Sequence, residues 1–270
     1  MTPAGLAPGD PSADPDPDPT RSSTPGAADA LLGSPDPGPL LAAGDSADVY
    51  AIDDAWVLRR YREERDATAE AAMVRHVVAH GYPAPAVFAA AGSDIVMERL
   101  HGPTLLQSLG AGETTIHDAA AILVDLHARL HAIPAPTGWA VPTARSGPGT
   151  TAGTVVAHLD LHPGNVILTE AHGPALVDWY SARLGSAELD VALTALVIAE
   201  VAVDAGGIYS RAARALLAAF ITAADVPVLD ALDEAATLRS EDPGLVAGER
   251  GLVPVATALV RDLVAVTARP

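Results

Sequence analysis

The hydrophobic and polar positions early in the chain follow the pattern of a small antiparallel sheet. The runs DVYAI (48–52) and WVLRRY (56–61) are rich in β-branched and aromatic residues, and the polar pair Asp53-Asp54 between them is typical of a hairpin turn. A second pair of such runs, AVFAAA and DIVMERL, flanks Gly92-Ser93. We therefore predict two β-hairpins between residues 48 and 100.

Helical periodicity prevails between the hairpins and after them. Residues 63–80 place small and aliphatic side chains three or four positions apart. Thr115 and Asp118 fit a capping box at the start of a second helix. Its apolar face comprises Ile116, Ala120, Leu123, Leu126 and Leu130. From about Glu188 the pattern predicts helices separated by Gly206-Gly207, Pro227 and Pro243-Gly244. Strands first and helices afterwards predict an α+β fold with two lobes, hinged near residues 98–102.

Residues 1–38 lack these periodicities. They contain the segment PSADPDPDPTRSSTPG, which is too rich in proline and aspartate to bury the apolar surface that would offset the entropy of ordering. They also lack the basic start and apolar core of a signal peptide. We predict a disordered acidic, proline-rich tail.

Composition limits the classes of partner. The formal net charge of −18 argues against nucleic acid and anionic membranes, because phosphate binding relies on Lys and Arg. This charge suits a cationic or neutral substrate. Cysteine is absent, which excludes disulfides and thiolate chemistry, and all 16 basic residues are arginine.

The longest apolar stretch covers residues 191–203. Thr194 and Glu200 interrupt it, and it is shorter than the ~20 residues that a membrane span needs. We therefore predict a buried helix here, no membrane partner and a cytoplasmic protein.

The stretch AHLDLHPGNVIL (157–168) concentrates polar residues between two hydrophobic runs. Three interpretations are open. His158, Asp160 and His162 alternate, so an extended strand would place them on one face as metal ligands of a hydrolase. Pro-Gly-Asn could instead form a tight turn that Asp160 caps.

The third interpretation is phosphoryl transfer, which needs positioned charges more than covalent chemistry. One carboxylate must lie beside the attacking hydroxyl, while Mg²⁺ requires oxygen ligands. Asp160 and Asn165, five residues apart, offer these groups. A predicted hairpin, VIL (166–168) and ALVDW (175–179), then brings Asp178 to the same place. This order of residues favours phosphoryl transfer.

The motifs HLDLHPGN and LVDW resemble the catalytic loop and metal-binding aspartate of the aminoglycoside phosphotransferase and choline kinase group. These are small-molecule kinases of the protein-kinase-like fold, with a small β-rich N-lobe and a helical C-lobe. The resemblance covers roughly residues 39–220. It implies that Asp160 is the catalytic base or orients the hydroxyl, that Asn165 and Asp178 bind Mg²⁺, and that His158 supports the loop.

The same resemblance extends to other positions. In VLRRY it implies that Arg59 contacts the phosphates, with Glu70 as its helical partner. In GSAELDVAL it implies that Asp190 hydrogen-bonds to the catalytic loop from below. The implied remaining contacts to the nucleotide are a Ser46 hydroxyl, Met97 as gatekeeper, and the Glu98 carbonyl and Leu100 amide at the adenine.

Three positions depart from the pattern of the family. Leu159 stands where glycine is usual, AAGDSADVY contains only Gly44, and Arg59 replaces a lysine. The arginine at position 59 needs no special explanation by loss of function, because the chain contains no lysine at all.

We therefore predict a kinase that uses ATP or GTP and Mg²⁺ to phosphorylate a hydroxyl of a small molecule. Residues 39–99 form the nucleotide-binding N-lobe, and residues 100–270 form a C-lobe with the catalytic loop, metal and substrate sites. Asp204, Glu234 and Asp242 are candidates to receive an amine of the substrate. The alternatives are a nucleotide-binding pseudokinase or regulatory module, because of Arg59, and the metal-dependent hydrolase.

Overall fold

A computed structural model describes most of the chain. The described residues are 32–34, 36–44, 46–136, 138–139, 155–204, 207–242, 244–245 and 247–267. The predicted tail therefore lies mainly outside the described residues, and its structure is described only from Leu32 onward.

The first part of the described chain is a five-stranded antiparallel sheet with one helix. Its elements are β1 (Leu40–Ala43), β2 (Ala47–Ala51), β3 (Trp56–Tyr61), α1 (Thr68–Ala79), β4 (Val87–Ala91) and β5 (Asp94–Glu98). The strand order is β1-β2-β3-β5-β4. Both predicted hairpins are present, β2 with β3 and β4 with β5. A small core of Ala67, Ala71, Val57, Ile95 and Met97 lies between α1 and the sheet.

Helix α1 begins at Thr68 rather than at residue 63, as the periodicity predicted. The residues before it are held in a loop: Arg65 N donates to Ser93 Oγ at 3.0 Å, and Ala67 N donates to Gly92 O at 2.8 Å. Asp66 Oδ1 then accepts from the Thr68 amide at 2.9 Å. Because these amides bond to the hairpin turn and to Asp66, the helix begins further along the chain, at Thr68.

The second part is mainly helical, with two small two-stranded sheets. Its helices are α2 (Leu105–Ala111), α3 (Ile116–His131), α4 (Ala187–Val203), α5 (Gly207–Ala223), α6 (Leu232–Ser240), α7 (Ala247–Arg250) and α8 (Val253–Thr267). Its strands are β6 (Val155–Ala157), β7 (Val166–Thr169), β8 (Gly173–Leu176) and β9 (Arg183–Gly185), paired as β6–β9 and β7–β8. The predicted α+β fold is confirmed.

The capping of the helices differs from the prediction in one respect. Thr115 caps α3 by accepting from the Asp118 amide, but Asp118 bonds to the Thr115 hydroxyl and not to its amide. A complete capping box occurs instead at α2, where Thr104 and Gln107 bond reciprocally. The bounds of α2 were not predicted from the sequence.

Helix α4 is the centre of the helical part. It contains the apolar stretch 191–203, and most of its side chains are buried, including Leu193, Leu196 and Ile198. The prediction of a buried helix is confirmed. Among the described helices no single one is long and apolar enough to cross a membrane. Helix α5 and the segment Val228–Ser240, which ends with α6, meet the criteria of length and composition only as a pair, and the pair is bent by 109° at the break between them.

Candidate active site

The predicted catalytic stretch forms a loop between β6 and β7, which we call the site loop (residues 158–165). A short 3₁₀ turn, Pro163–Asn165, closes it and leads directly into β7. His162 precedes this turn, and its Nδ1 accepts from the Gly164 amide at 3.1 Å. The loop is therefore fixed at both ends by small sheets, which lets its polar side chains hold defined positions.

Asp190 lies beneath the site loop, where the resemblance places it. It is fully buried in the first turn of α4, and its carboxylate accepts from the His158 amide at 3.2 Å and the Leu159 amide at 2.6 Å. Burial alone would raise the pKa of Asp190. The neighbouring His127 and His131, with which it interacts, keep that pKa well below its usual value. The support is therefore a buried carboxylate ion.

The side chain of His158 points away from solvent. Its Nε2 lies 3.1 Å from the Val177 carbonyl, and its ring packs edge-on against Trp179 at 4.9 Å. Burial lowers the pKa of His158 to about 4, so the ring is neutral. This neutral ring joins the site loop to the end of strand β8, where Asp178 follows.

Asp160, Asn165 and Asp178 are brought together by the loop and the β7–β8 hairpin. Asn165 Nδ2 donates to Asp160 Oδ2 at 3.1 Å and to the Asp160 carbonyl at 2.9 Å. The Val177 amide donates to the Asn165 carbonyl at 2.9 Å, which places Asp178 beside the same loop. Burial raises the pKa of Asp160 to about 7, and the charge of Asp178 adds to this rise.

Arg59 links the sheet to this cluster. It is 7% exposed on β3, lies 3.4 Å from Glu70 of α1, and forms a close ion pair with Asp178. Burial would lower the pKa of Arg59, but the charges of Asp178 and Glu70 outweigh it. For the acid Asp178, burial would raise the pKa, but the charge of Arg59 holds it below its usual value. The predicted Arg59–Glu70 pair is present.

Glu70 has a second partner. The hydroxyl of Tyr61, at the end of β3, donates to its carboxylate. Burial raises the pKa of Glu70, although Arg59 and the Tyr61 bond counteract this rise. Helix α1 is thus joined to the sheet through one buried carboxylate with two polar partners.

The predicted adenine contacts lie where the sheet passes into the helical part. Met97 is buried on β5. Arg99 N donates to Ala55 O, next to β3, at 2.8 Å. Successive residues of a strand turn their backbone groups to opposite sides, so the backbone of Glu98 faces away from β3. The Glu98 amide accordingly donates to Ala86 O at 2.8 Å. Leu100 follows, half-buried, in the connecting segment. Ser46 lies apart from these residues, in the β1–β2 turn, where its carbonyl accepts from Arg62 N at 3.1 Å.

The three residues of the hydrolase interpretation do not converge. His158 faces Val177, while His162 Nε2 is 3.8 Å from Asp160 Oδ1 and its Nδ1 is engaged by Gly164. Among the described residues, one set of three His, Asp or Glu side chains has its ligand atoms within 4.8 Å of one another. This set is His127, His131 and Asp190, which lie outside the site loop. The observed geometry therefore does not support a metal site built from His158, Asp160 and His162.

A cluster of charges that sequence reasoning missed lies on the helices beside the site loop. Arg239 of α6 contacts Glu200 of α4 at 3.1 Å and Asp242 at 3.3 Å. The charge of Arg239 also lowers the pKa of Asp160, against the larger effect of burial. Asp242, one of three acids predicted for a substrate amine, thus already has a cationic partner. Asp204, at the end of α4, is exposed.

The third acid, Glu234 of α6, is half-buried, and burial raises its pKa. Arg183 lowers that pKa. Spacing along the sequence could not reveal the Arg239 cluster, because Glu200 and Arg239 are 39 residues apart.

Comparison with known proteins places this geometry in context. The family model described as "Phosphotransferase enzyme family" matches residues 38–151 and 139–235. No curated protein matches the chain. The crystal structure of aminoglycoside phosphotransferase APH(4)-Ia is similar with a TM-score of 0.54 and 15% identity, over 92% of this chain and 100% of that one.

Two further solved structures share the fold. A choline/ethanolamine kinase family protein from Mesorhizobium loti has a TM-score of 0.51 and 14% identity, over 88% of this chain and 94% of that one. A thermostable mutant of APH(4)-Ia, in a ternary complex with AMP-PNP and hygromycin B, has a TM-score of 0.50 and 16% identity, over 92% and 100% of the two chains. The similarity extends from the sheet through the helical part.

Proposed function

Because the chain belongs to the phosphotransferase enzyme family, we propose that it transfers the terminal phosphoryl group of ATP or GTP to a hydroxyl of a small molecule. The observation that carries this proposal is the convergence of Asp160, Asn165 and Asp178, with the Arg59–Glu70 pair meeting Asp178 from the sheet. A nucleotide analogue and hygromycin B occupy a relative of the same fold, which supports a nucleotide donor and a small-molecule acceptor.

Asp160 has the properties of the group that receives the acceptor hydroxyl. Asn165 fixes its carboxylate through Oδ2. A pKa raised to about 7 makes this carboxylate a stronger proton acceptor than a solvated aspartate. We assign Asp160 to orienting the hydroxyl and accepting its proton as the bond to phosphorus forms.

The donor set of Asn165 and Asp178 fits Mg²⁺. The side-chain nitrogen of Asn165 donates to Asp160, so the side-chain oxygen of Asn165 is left to bind a cation. Asp178 offers carboxylate oxygens as further ligands. These are the hard ligands that Mg²⁺ prefers. When bound, Mg²⁺ neutralises charge on the phosphate oxygens. Asn165 and Asp178 would hold it in this protein.

Arg59 takes the place of the phosphate-binding lysine in this proposal. Its guanidinium is planar and carries several donors, so it can keep Glu70 as a partner while it turns another edge to a phosphate. Met97, the Glu98 carbonyl and the Leu100 amide would receive the base. Ser46, in the turn between β1 and β2, would contribute its hydroxyl.

The acceptor is a small molecule, and the acidic chain favours a cationic one. The alternative is a nucleotide-binding module without transfer. It is motivated by Arg59, which replaces lysine and forms an ion pair with Asp178, one of the assigned metal ligands.

The experiment separates the two roles of the carboxylates. Asp160→Ala should bind Mg-nucleotide as wild type does, while phosphoryl transfer falls by about 100-fold or more, the usual contribution of a positioned base. Asp178→Ala should weaken Mg-dependent nucleotide binding as well. Binding is measured by calorimetry, and transfer by the mass gain of one phosphate on a panel of aminoglycosides, choline and ethanolamine.

Asp262→Ala, on the exposed face of α8, is the control and should change neither quantity. Near-normal transfer by Asp160→Ala would contradict the role assigned to the site loop. Mg-nucleotide binding by wild type without transfer to any acceptor of the panel would support the binding module.

A further inference from the structure

A buried polar cluster connects two helices with the underside of the site loop. It consists of His127 and His131 on α3, Asp190 and Thr194 on α4, and the carbonyl of Leu161. His127 is 3% exposed, Asp190 is 0% and Thr194 is 1%. Polar groups so deeply buried destabilise a protein unless their hydrogen bonds are satisfied, so the protons of this cluster can be assigned by counting.

The hydroxyl of Thr194 fixes the direction of the first bond. It donates its single proton to the Leu161 carbonyl at 2.6 Å. The same oxygen lies 2.9 Å from His127 Nε2, and it can only accept there because it has no second proton. His127 Nε2 therefore carries a proton and donates to Thr194.

The other nitrogen of His127 faces an anion. Nδ1 is buried and lies 3.3 Å from Asp190 Oδ2, without the alignment of a direct hydrogen bond. A neutral ring with its proton on Nε2 would leave the unprotonated, electron-rich Nδ1 3.3 Å from this carboxylate, which is unfavourable in a medium of low dielectric constant. A second proton, on Nδ1, converts the contact into an ion pair.

The other groups around His127 do not replace that charge. His131 Nε2 lies 2.8 Å from the same Asp190 oxygen and can donate to it as a neutral ring. His158 is neutral, and Phe220 of α5 contributes an aromatic ring with its centroid 6.0 Å from that of His127. Asp225 lines the small cavity next to His127 and is a further acidic group on this side.

We propose that His127 is a positively charged positioning residue that holds Asp160 in place through Thr194 and Leu161. The claim that this affects catalysis rests on the proposed function. Asp160 lies between two residues tied to α4, because the Leu159 amide bonds to Asp190 and the Leu161 carbonyl bonds to Thr194. The His127 imidazolium neutralises Asp190, which holds the loop before Asp160, and donates to Thr194, which holds the loop after Asp160. One charged ring thus supports the contacts on both sides of Asp160.

The kinetic test uses a set of threonine variants. Thr194→Val removes the hydroxyl and should lower the kcat of phosphoryl transfer, or of nucleotide hydrolysis, by about tenfold through misplacement of Asp160. The Kd of Mg-nucleotide should stay within about twofold of wild type, because Arg59 and Asp178 do not contact Thr194. Thr194→Ser keeps the hydroxyl and should retain most of the rate.

Thr257→Val is the matched control. Thr257 is also a buried helical threonine, but its hydroxyl donates to Val253 within α8, at 2.7 Å. This variant loses a comparable hydrogen bond without touching the site loop and should keep kcat. Equal losses of kcat in Thr194→Val and Thr257→Val would reduce the role of Thr194 to general stability and overturn the proposal.

A spectroscopic test needs no activity. In the full chain labelled with ¹⁵N and studied at neutral pH, the ring of His127 should carry protons on both nitrogens. Its resonance is assigned by its loss in His127→Gln or, if that variant does not fold, by its shift in Thr194→Val. A ring protonated only at Nε2 would overturn the proposal, as would a transition metal retained stoichiometrically by the purified protein at Nδ1.

The two arms separate this inference from the proposed function. If wild type transfers no phosphate, the protonation of His127 is still measurable. Protons on both ring nitrogens would then confirm the charge of His127, and a proton on Nε2 alone would refute it. If the imidazolium is observed and Thr194→Val keeps full kcat in an active enzyme, the positioning role is refuted while the phosphotransferase activity is not.

Discussion

At the scale of single residues, the backbone is unusual at Leu159, directly before Asp160, and at Asp178. Leu159 and Asp178 have φ of 64° and 63°, and they are the non-glycine residues with positive φ in the described part of the chain. This conformation costs an L-residue about 1–2 kcal/mol. Asp190 holds the Leu159 amide, and Arg59 holds the Asp178 carboxylate, so the surroundings keep both residues there.

Leu159 offers a direct measure of this strain. Leu159→Gly and Leu159→Ala both lose a buried side chain, but only glycine relieves the left-handed backbone. Leu159→Gly should therefore be more stable than Leu159→Ala by about 1 kcal/mol, the reverse of the usual order. Urea unfolding of both variants measures the difference.

Leu161 is the control for that comparison, because it is equally buried in the same loop and is not among the residues with positive φ. There Leu161→Gly should be less stable than Leu161→Ala. If glycine is the less stable substitution at both positions, Leu159 is not strained in solution.

At the scale of the elements, strand β3 carries an ion pair on each face. Arg59 joins Glu70 and Asp178 on one face, and Arg60 on the other grips Asp94 with two bonds of 2.7 Å. Asp94 is itself only 3% exposed. Two adjacent arginines thus serve different purposes, the first within the proposed site and the second within the sheet.

Substitution at the two positions should separate activity from stability. Arg59→Lys should keep measurable transfer, because the charge remains, and Arg59→Met should lose most of it. Arg60→Met should keep its turnover while folded, yet lose about 1–3 kcal/mol of stability, because Asp94 stays buried without its cation. Transfer rates and urea unfolding on the same samples test both statements.

Two outcomes would correct this assignment. Equal tolerance of methionine at both positions would show that the phosphate contact lies on another residue. A gain of activity in Arg59→Lys over an inactive wild type would identify the binding module as the function of the chain.

The sequence predicted those elements whose pattern is local. The two hairpins of the sheet and the buried helix α4 follow from the alternation or the length of their apolar runs. The start of α1 was not predictable from periodicity, because the Arg65 and Ala67 amides bond to a hairpin turn about 25 residues away, a tertiary contact that overrides helical propensity.

The candidate site divides in the same way. Asp160, Asn165 and Asp178 lie close in sequence and matched a known motif, so they could be proposed from the sequence. His127 and Thr194 could not, because their hydrogen bond joins residues 67 positions apart, and each alone has the sequence pattern of an ordinary helix residue. Side-chain networks between helices carry no periodic signal.

At the scale of the whole molecule, the described structure begins before the predicted boundary at Pro39. The Gly33 amide donates to Asp94 at 2.6 Å, and Arg60 donates to the Ser34 carbonyl at 2.7 Å. The last residues assigned to the acidic tail therefore cover the Arg60–Asp94 pair. The folded unit in the described part of the chain includes these contacts.

Two truncated chains test where the folded unit begins. A chain starting at Leu32 keeps the contacts of Gly33 and Ser34 and should melt at the temperature of the full chain. A chain starting at Pro39 loses them and should melt lower, by ~2–4 °C for each kcal/mol lost. In the Arg60→Met background the second truncation should cost less, because the shared partner is gone. Identical melting of both truncated chains would show that Gly33 and Ser34 add nothing.

The arginine that joins Glu70 to Asp178 also decides which chemical probes can detect this protein. Reagents that tag nucleotide-binding proteins by acylation require an uncharged amine near the phosphates, and this chain contains no lysine. Arg59 is protonated throughout the physiological range, and its ion pairs raise its pKa further against burial. Its guanidinium is therefore not a nucleophile for such reagents. A proteome-wide survey based on lysine acylation would therefore pass over the proposed nucleotide site even when it is saturated, whereas an arginine-selective dicarbonyl reagent could report its occupancy.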